Sequence, residues 1–127
     1  MRICKTFEWE ASHSLSLPYE SKCQNNHGHT YKIEIEIEGE INENGMVIDF
    51  SKLKEWVNKA NVCFDHCNIN KDIPYFKNKN PTAENLIFFI YTKMNEIKND
   101  FLGIPNYVKI RRIRIWETSK SFAEMVW

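Results

Sequence analysis

The sequence has no net charge and no long apolar run, and each absence excludes a class of protein. Lys and Arg number 17, as do Asp and Glu, so no overall field attracts nucleic acid or an anionic membrane. No apolar stretch is long enough to cross a bilayer, and the first residues contain no secretory core. The basic residues of 109–114 are interpreted as the solvated face of a strand. We therefore expect a cytoplasmic protein that binds neither nucleic acid nor membranes.

Cysteine is scarce, with four residues in the chain. In the cytoplasm these thiols are expected to be reduced, which excludes a disulfide framework. Cys63 and Cys67 lack the close pairing of a zinc ribbon, and we interpret them, with Cys4, as structural or incidental. Cys23 differs because two histidines follow it closely, at positions 27 and 29.

The chain also lacks low-complexity linkers, internal repeats and breaks in composition. Its 127 residues are 43% hydrophobic and 13% aromatic. This is enough to bury one core and too little for two ordinary domains. The sequence therefore predicts a single domain over residues 1–127.

Histidine is scarce too, and three of the four stand at matching places in two amphipathic segments. Downstream of His29, residues 30–38 alternate apolar and polar side chains, as a half-buried strand does. Since side chains alternate across a strand, His27 and His29 share the face of its apolar stripe. In residues 7–13 the same alternation places His13 at the end of a second stripe. If the two strands pair antiparallel, the three imidazoles converge.

Three neutral nitrogen ligands with an open fourth position are typical of a catalytic zinc site. The absence of oxygen ligands disfavours calcium and magnesium. The pattern is also compatible with hydrogen-bonded histidines at the rim of a core, because His-x-His occurs by chance. Spacing alone leaves both interpretations open.

The remaining segments predict two helices and two further strands. A turn at residues 42–45 leads to a short extended piece, residues 46–48, and Asp49 then caps a helix whose apolar stripe extends to Phe64. Residues 65–81 are irregular, and a second helix follows with Thr82 as its cap. Strands are expected at residues 107–118 and 122–127.

Glu117 continues the apolar stripe of the long strand that ends near residue 118. A carboxylate on that face loses hydration unless it has a partner, which could be a ligand. Alternatively, Glu117 emerges into water at the end of the strand.

Short motifs follow one another in order along essentially the whole chain. They are Ala11-Ser12-His13, Cys23-x-x-x-His27-Gly28-His29, Gly45-Met46-Val47-Ile48-Asp49-Phe50, Leu53-Lys54, Asp65-His66-x-x-Ile69-Asn70, Pro81-Thr82-Ala83-Glu84-Asn85-Leu86 and Glu117-Thr118. Together they resemble the 6-pyruvoyl-tetrahydropterin synthase family, which includes the 6-carboxy-tetrahydropterin synthases of queuosine biosynthesis.

The resemblance implies an α+β T-fold, a four-stranded antiparallel sheet with two helices on one face in the order ββααββ. It also implies that the sheets of several subunits join edge to edge into a trimeric barrel, and that two trimers stack into a homohexamer with active sites between subunits. Such assembly would cover the unpaired edges of a small open sheet.

The resemblance also implies roles for individual residues. His13, His27 and His29 correspond to the ligands of Zn2+, and Cys23 corresponds to the thiol that abstracts a proton. Zinc in such a site polarises the side-chain oxygens of the substrate.

Five further residues correspond to positions that handle protons or bind the pterin. Asp65 and His66 match a proton-relay pair, and Glu117 matches the carboxylate that anchors the pterin. Glu84 and Thr82 match a loop that lines the pterin pocket. For Glu84, an interaction with the helix dipole is the competing interpretation.

Family members differ in the product they release. The resemblance implies zinc-dependent conversion of 7,8-dihydroneopterin triphosphate either to 6-carboxy-5,6,7,8-tetrahydropterin, with loss of acetaldehyde and triphosphate, or to 6-pyruvoyl-tetrahydropterin. Three residues separate Cys23 from His27, which is similar to the shorter loop of the bacterial queuosine enzymes, so the carboxy product is predicted. A zinc hydrolase and a catalytically silent pterin-binding homologue are the alternatives from other classes.

Overall fold

The protein is built on one mixed β-sheet, as seen in a computed structural model that describes residues 1–101 and 103–127. The strands lie in the order β3-β1-β2-β4-β5. They are β1 (Arg2–His13), β2 (His27–Glu38), β3 (Cys67–Asn68), β4 (Lys109–Thr118) and β5 (Ser121–Val126). The four longer strands pair antiparallel, β1 with β2, β2 with β4 and β4 with β5.

The prediction of a four-stranded sheet is wrong, because the sheet has five strands. The fifth strand, β3, pairs parallel with the end of β1, where Ala11 lies opposite Cys67 and Ser12 opposite Asn68. A strand of two residues is too short to show the alternation from which strands are predicted. Its partner is distant in sequence, so only the folded chain reveals the pairing.

The described residues contain three helices where two were predicted. These are α1 (Phe50–Lys59), α2 (Ile69–Asp72) and α3 (Ala83–Phe101), with short 3-10 turns at Lys22–Gln24 and Pro74–Phe76. The unexpected α2 is about one turn long and lies in the segment that the sequence predicted to be irregular. No helix among these is long and apolar enough to cross a bilayer.

Helix α1 begins as predicted and ends earlier. The side chain of Asp49 accepts a hydrogen bond from the N–H of Ser51, as expected of an N-cap. The helix stops at Lys59, and Asn61 adopts a φ of 54°, a left-handed conformation typical of helix ends. Phe64 is therefore outside the helix, although its side chain is fully buried as the apolar stripe suggested.

Helix α3 begins where the sequence placed it. The Thr82 hydroxyl accepts a hydrogen bond from the N–H of Asn85 (3.3 Å). The two longer helices are joined in the core, because the indole N–H of Trp56 in α1 donates to the carbonyl of Met94 in α3 over 2.8 Å. The apolar faces of both helices pack on one face of the sheet.

The two faces of the sheet differ in character. The face under the helices carries fully buried side chains, namely Tyr31, Ile33, Ile35, Ile37, Ile113 and Ile115. The other face carries charges paired across strands, and Arg112 lies 3.0 Å from Glu34 and 3.2 Å from Glu36. The basic residues of 109–114 are therefore partly neutralised by carboxylates.

The turn after β2 has the conformation that its Asn-Gly pair predicts. The Asn42 side chain accepts hydrogen bonds from the N–H groups of Asn44 and Met46, and Gly45 has a φ of 79°. The extended piece expected over residues 46–48 does not form a strand.

Candidate active site

The register of β1 and β2 brings the three predicted histidines together. His13 lies directly opposite His27, and Ala11 lies opposite His29. The three imidazoles are neighbours on the helix-covered face, and each offers a ligand atom within 4.8 Å of the others. The convergence predicted from the two amphipathic strands is therefore present in the fold.

Two backbone carbonyls decide which ring nitrogens carry hydrogen. The Nδ1 atom of His13 lies 2.8 Å from the carbonyl oxygen of Pro81, and that of His27 lies 2.7 Å from the carbonyl of Asn25. A carbonyl can only accept, so each Nδ1 donates and each neutral ring keeps its lone pair on Nε2.

The freed lone pairs face one another. The Nε2 atoms of His13 and His27 are 3.1 Å apart. The Nε2 atom of His29 is buried and has no hydrogen-bond partner among the described residues. Lone pairs at this separation repel unless a cation lies between them, and a buried nitrogen without a partner loses hydration.

The electrostatics also favour neutral imidazoles. Burial lowers the pKa of His13 and of His29. Metal binding requires the unprotonated ring, so burial prepares both residues as ligands. The three histidines thus fit a divalent transition-metal ion with nitrogen ligands.

Glu117 lies beside this cluster near the end of β4. Its Oε1 atom is 3.6 Å from Nε2 of His13, and its side chain is 31% exposed. Of the two interpretations that the sequence left open, a carboxylate held beside a site therefore describes its position better than one that emerges freely into water.

Three residues predicted to bind the substrate line the same cavity, of about 250 Å³. They are Thr82, Glu84 and Glu117, which come from the start of α3 and the end of β4. Leu15 and Phe122 contribute apolar walls. Neither residue stands in a sequence motif, so no local pattern predicted these two walls.

Cys23 is half-buried in the 3-10 turn that precedes β2. Its carbonyl accepts a hydrogen bond from the N–H of Leu15 (2.8 Å), and its own N–H donates to the Ser21 hydroxyl (3.1 Å). Among the described residues, the cluster of possible metal ligands contains the three histidines without this thiol.

Asp65 and His66 form a pair that is hydrogen-bonded to β1. Nδ1 of His66 lies 2.9 Å from Oδ2 of Asp65, whose other oxygen accepts the N–H of Glu10 (2.8 Å). The hydrogen bond from Glu10, followed by that from His66, lowers the pKa of Asp65. His66 adopts a φ of 58° and its side chain is 78% exposed.

Within one chain this pair is not part of the cavity that contains Glu117. His66 lines a different cavity with Glu10, Ser12 and Thr30, and the two cavities share no lining residue among those described. His29 also lines this second cavity, so the fold gathers Glu117, Glu84 and Thr82 around the first cavity and places His66 at the second, with the histidine cluster next to both.

The fold and the histidine cluster define an α+β protein with a candidate metal centre beside a small cavity. The family model for 6-pyruvoyl tetrahydropterin synthase matches residues 2–126. The 6-carboxy-5,6,7,8-tetrahydropterin synthase of Haemophilus influenzae is 34% identical over 149 residues, covering 97% of this chain and 96% of that protein. The dihydroneopterin monophosphate aldolase of Pyrococcus furiosus is 32% identical over 126 residues, covering 99% and 97%.

A solved structure extends this similarity to the fold. The 6-pyruvoyl tetrahydropterin synthase of Caenorhabditis elegans superimposes with a TM-score of 0.82 at 26% identity, covering 100% of this chain and 95% of that one. The chain belongs to the 6-pyruvoyl tetrahydropterin synthase family.

Proposed function

We propose that this single-domain, cytoplasmic protein is a zinc-dependent lyase of queuosine biosynthesis. It converts 7,8-dihydroneopterin triphosphate to 6-carboxy-5,6,7,8-tetrahydropterin and releases acetaldehyde and triphosphate. The observation that carries the proposal is the cluster of three histidines whose nearest member lies 3.6 Å from Glu117, a wall of the adjoining cavity. The relative from Haemophilus influenzae, which carries the 6-carboxy name, supports this product.

His13, His27 and His29 would hold the zinc ion. In a tetrahedral zinc site with ordinary bond lengths, the ligand nitrogens are about 3.3 Å apart. The 3.1 Å separation of Nε2 in His13 and His27 is close to that value. When bound, zinc would supply positive charge that acidifies the carbon next to the substrate's side-chain hydroxyls.

Glu117 is proposed to orient the pterin ring. Its carboxylate would accept paired hydrogen bonds from the amino group and the ring N–H of the pterin edge, which match the two oxygens in geometry. Thr82 and Glu84 would contact the ring from the same cavity, where both side chains are lining residues. The ring would thus be held with its side chain directed toward the histidines.

Cys23 is proposed to take the proton from the substrate carbon. The Asp65–His66 pair would pass protons to and from the reacting side chain, with Asp65 keeping the imidazole in one orientation through its 2.9 Å contact. Within one chain this pair lines another cavity. A second subunit would therefore bring its own pair to the site.

We accordingly propose a homohexamer made of two stacked trimers. The sheet ends at β5, which has β4 on one side and no strand on the other among the described residues. Its side chains Phe122 and Val126 are 47% and 56% exposed. Joining such an edge to that of another copy would pair its backbone groups and cover these side chains.

Two other reactions compete on the same site. Formation of 6-pyruvoyl-tetrahydropterin is the first alternative, and the Caenorhabditis elegans structure carries that name. Cleavage of dihydroneopterin monophosphate is the second, in view of the relative from Pyrococcus furiosus. The three-residue gap between Cys23 and His27 favours the carboxy product. A hydrolase would leave Cys23 without a task, and a silent homologue would be expected to lack Cys23, Asp65 or His66.

The test is to incubate the purified, zinc-loaded protein with 7,8-dihydroneopterin triphosphate and identify products by mass. We expect acetaldehyde and a carboxypterin, and no product from the matched Cys23→Ala variant. A 6-pyruvoyl product would assign the first alternative. In a parallel incubation with dihydroneopterin monophosphate, turnover of that substrate alone would assign the second alternative. Recovery of both substrates unchanged would overturn the proposed function.

A further inference from the structure

A second cavity, of about 740 Å³, adjoins the one that contains Glu117. Its lining residues are polar apart from Leu15 and Phe76, and they include Lys77 and Lys79. The lining contains two lysines and no carboxylate. It is therefore a polar cavity of net positive charge, which attracts anions.

The two lysines have no neutralising partner. Lys77 and Lys79 are exposed, and neither forms an ion pair with a carboxylate among the described residues. The ammonium group of Lys79 lies 3.2 Å from the hydroxyl of Tyr75 and 4.6 Å from the centre of that ring. These contacts orient the charge without cancelling it.

One wall of the cavity is held rigidly by asparagine side chains. The amide of Asn70 both accepts from the N–H and donates to the carbonyl of Ser14, and the amide of Asn80 does the same with Ser16. These paired bonds replace those of a neighbouring strand and fix the chain beyond the end of β1. Both amides are occupied in this way, and the two lysines are the cationic groups among the lining residues.

The cavity meets the candidate active site at Leu15, which lines both cavities. Ser14 follows His13 directly, Gln24 follows Cys23, and the N–H of Leu15 donates to the carbonyl of Cys23 (2.8 Å). A ligand with its ring beside Glu117 and an anionic tail in the second cavity would pass these residues.

We propose that Lys77 and Lys79 bind the phosphate chain of the pterin substrate. This assignment rests on the proposed function, since a phosphorylated pterin supplies both the ring and the anionic tail. Lysine binds phosphate as a mobile point charge with three N–H donors, and two such groups suit a chain of several phosphates. The linear polyphosphate is the recognised chemistry, whether esterified to the substrate or free as released triphosphate.

The test compares the zinc-loaded wild type, Lys77→Ala/Lys79→Ala and Lys54→Ala by calorimetric titration with inorganic tripolyphosphate. Lys54 is an exposed lysine on α1 and lines neither cavity. We expect the double variant to bind tripolyphosphate at least about tenfold more weakly, and the Lys54→Ala control to match wild type. Raising the salt concentration should weaken wild-type binding more than that of the double variant. Equal affinity in all three proteins would overturn the assignment.

A second measurement separates this inference from the proposed function. Binding of dephosphorylated 7,8-dihydroneopterin, followed by fluorescence, should be unchanged in the double variant, and KM for the triphosphate should rise at least about tenfold while kcat changes little. Unchanged KM would overturn the phosphate site even in an active enzyme. If the wild type binds tripolyphosphate through these lysines and turns over no pterin, the anion site stands and the proposed function fails. Unfolding curves and zinc content confirm that each variant is folded.

Discussion

The Nε2 atoms of His13 and His27 lie 3.1 Å apart, and each ring donates its other nitrogen's hydrogen to a backbone carbonyl. Two buried or half-buried lone pairs thus point at the same place. Without a cation between them the two lone pairs repel. A bound cation removes this repulsion, and little reorganisation is needed because both ligand nitrogens already face the same point.

The first prediction concerns the division of labour between the histidines and Cys23. His27→Ala should lower zinc affinity more than about 100-fold, because it removes one of three nitrogen donors. Cys23→Ala should retain one zinc per chain while turnover falls by about 10² to 10⁴, because it removes only the proposed proton-transfer group. Metal content after gel filtration and the rate of pterin turnover check both outcomes.

Release of zinc from Cys23→Ala would make the thiol a ligand and would contradict the proposed mechanism. Cys4→Ala is the matched control, because Cys4 lies on the charged face of β1 away from the histidines. It should leave both zinc content and turnover unchanged.

The second prediction concerns Glu117 and Glu84, which line the cavity proposed to bind the pterin. Glu117→Gln should weaken pterin binding about 10-fold to 100-fold, because an amide cannot accept both hydrogen bonds from the pterin edge. The exposed Glu84 should matter less, so Glu84→Gln is expected to change affinity less than about threefold. Fluorescence titration with 7,8-dihydroneopterin measures both.

Zinc content distinguishes the role of Glu117 from that of a metal ligand. Its Oε1 atom lies 3.6 Å from Nε2 of His13, so Glu117 is close enough to the histidines to reach a metal ion as well as a ligand in the cavity. Zinc should remain in Glu117→Gln. Loss of zinc together with unaltered pterin affinity would show that Glu117 serves the metal and not the ring.

The third prediction concerns the pH dependence of stability at Asp65. Hydrogen bonds from Glu10 and His66 lower the pKa of this carboxyl below its ordinary value of 3.8. The folded state therefore favours the ionised form, and the resulting stability is complete above the unfolded-state pKa and is lost as the pH falls through the lower folded pKa. Wild type should exceed Asp65→Asn in stability at neutral pH and approach it in acid.

Urea unfolding of both proteins from about pH 2 to about pH 7 measures the difference, and the effect of zinc loss cancels because the two proteins share the same histidines. Asparagine can still accept the N–H of Glu10 but has only one carbonyl oxygen, so the comparison measures the loss of the charge together with the altered contact to His66. A stability difference that stays constant across the range would show that the carboxylate is not preferentially ionised in the fold.

The fourth prediction concerns the tight packing around Gly39, which follows β2. A Cβ at this position would lie 2.9 Å from Cγ1 of Val47 and 3.0 Å from Cγ2 of Val108, both of them core side chains. Gly39→Ala should therefore destabilise the protein by about 1–3 kcal/mol, as overpacking of a core does. Gly28→Ala meets only the Ala11 carbonyl at 3.6 Å and should be nearly neutral. Thermal unfolding measures the stability of both variants. A lower melting temperature for Gly28→Ala than for Gly39→Ala would contradict this prediction.

Local pattern predicted the elements that build the site. The alternation of β1 and β2 identified both strands, and Asp49 and Thr82 marked the beginnings of α1 and α3. Pattern failed where elements are too short to show a period, as with β3 and α2, and at the end of α1, where Asn61 turns the chain. The periodicity of apolar residues in a strand or helix depends only on neighbouring positions, so it can be read directly from the sequence.

By itself, the sequence determined that three of the four histidines end apolar stripes, because the face on which a side chain lies follows from counting residues along a strand. Only the tertiary structure decided that His13 stands opposite His27, that the carbonyls of Pro81 and Asn25 orient their rings, and that the Asp65–His66 pair lies apart from Glu117. These relations join residues distant in sequence, or involve backbone atoms common to every residue type. No spacing rule encodes them, and they exist once the strands have paired and the loops have packed.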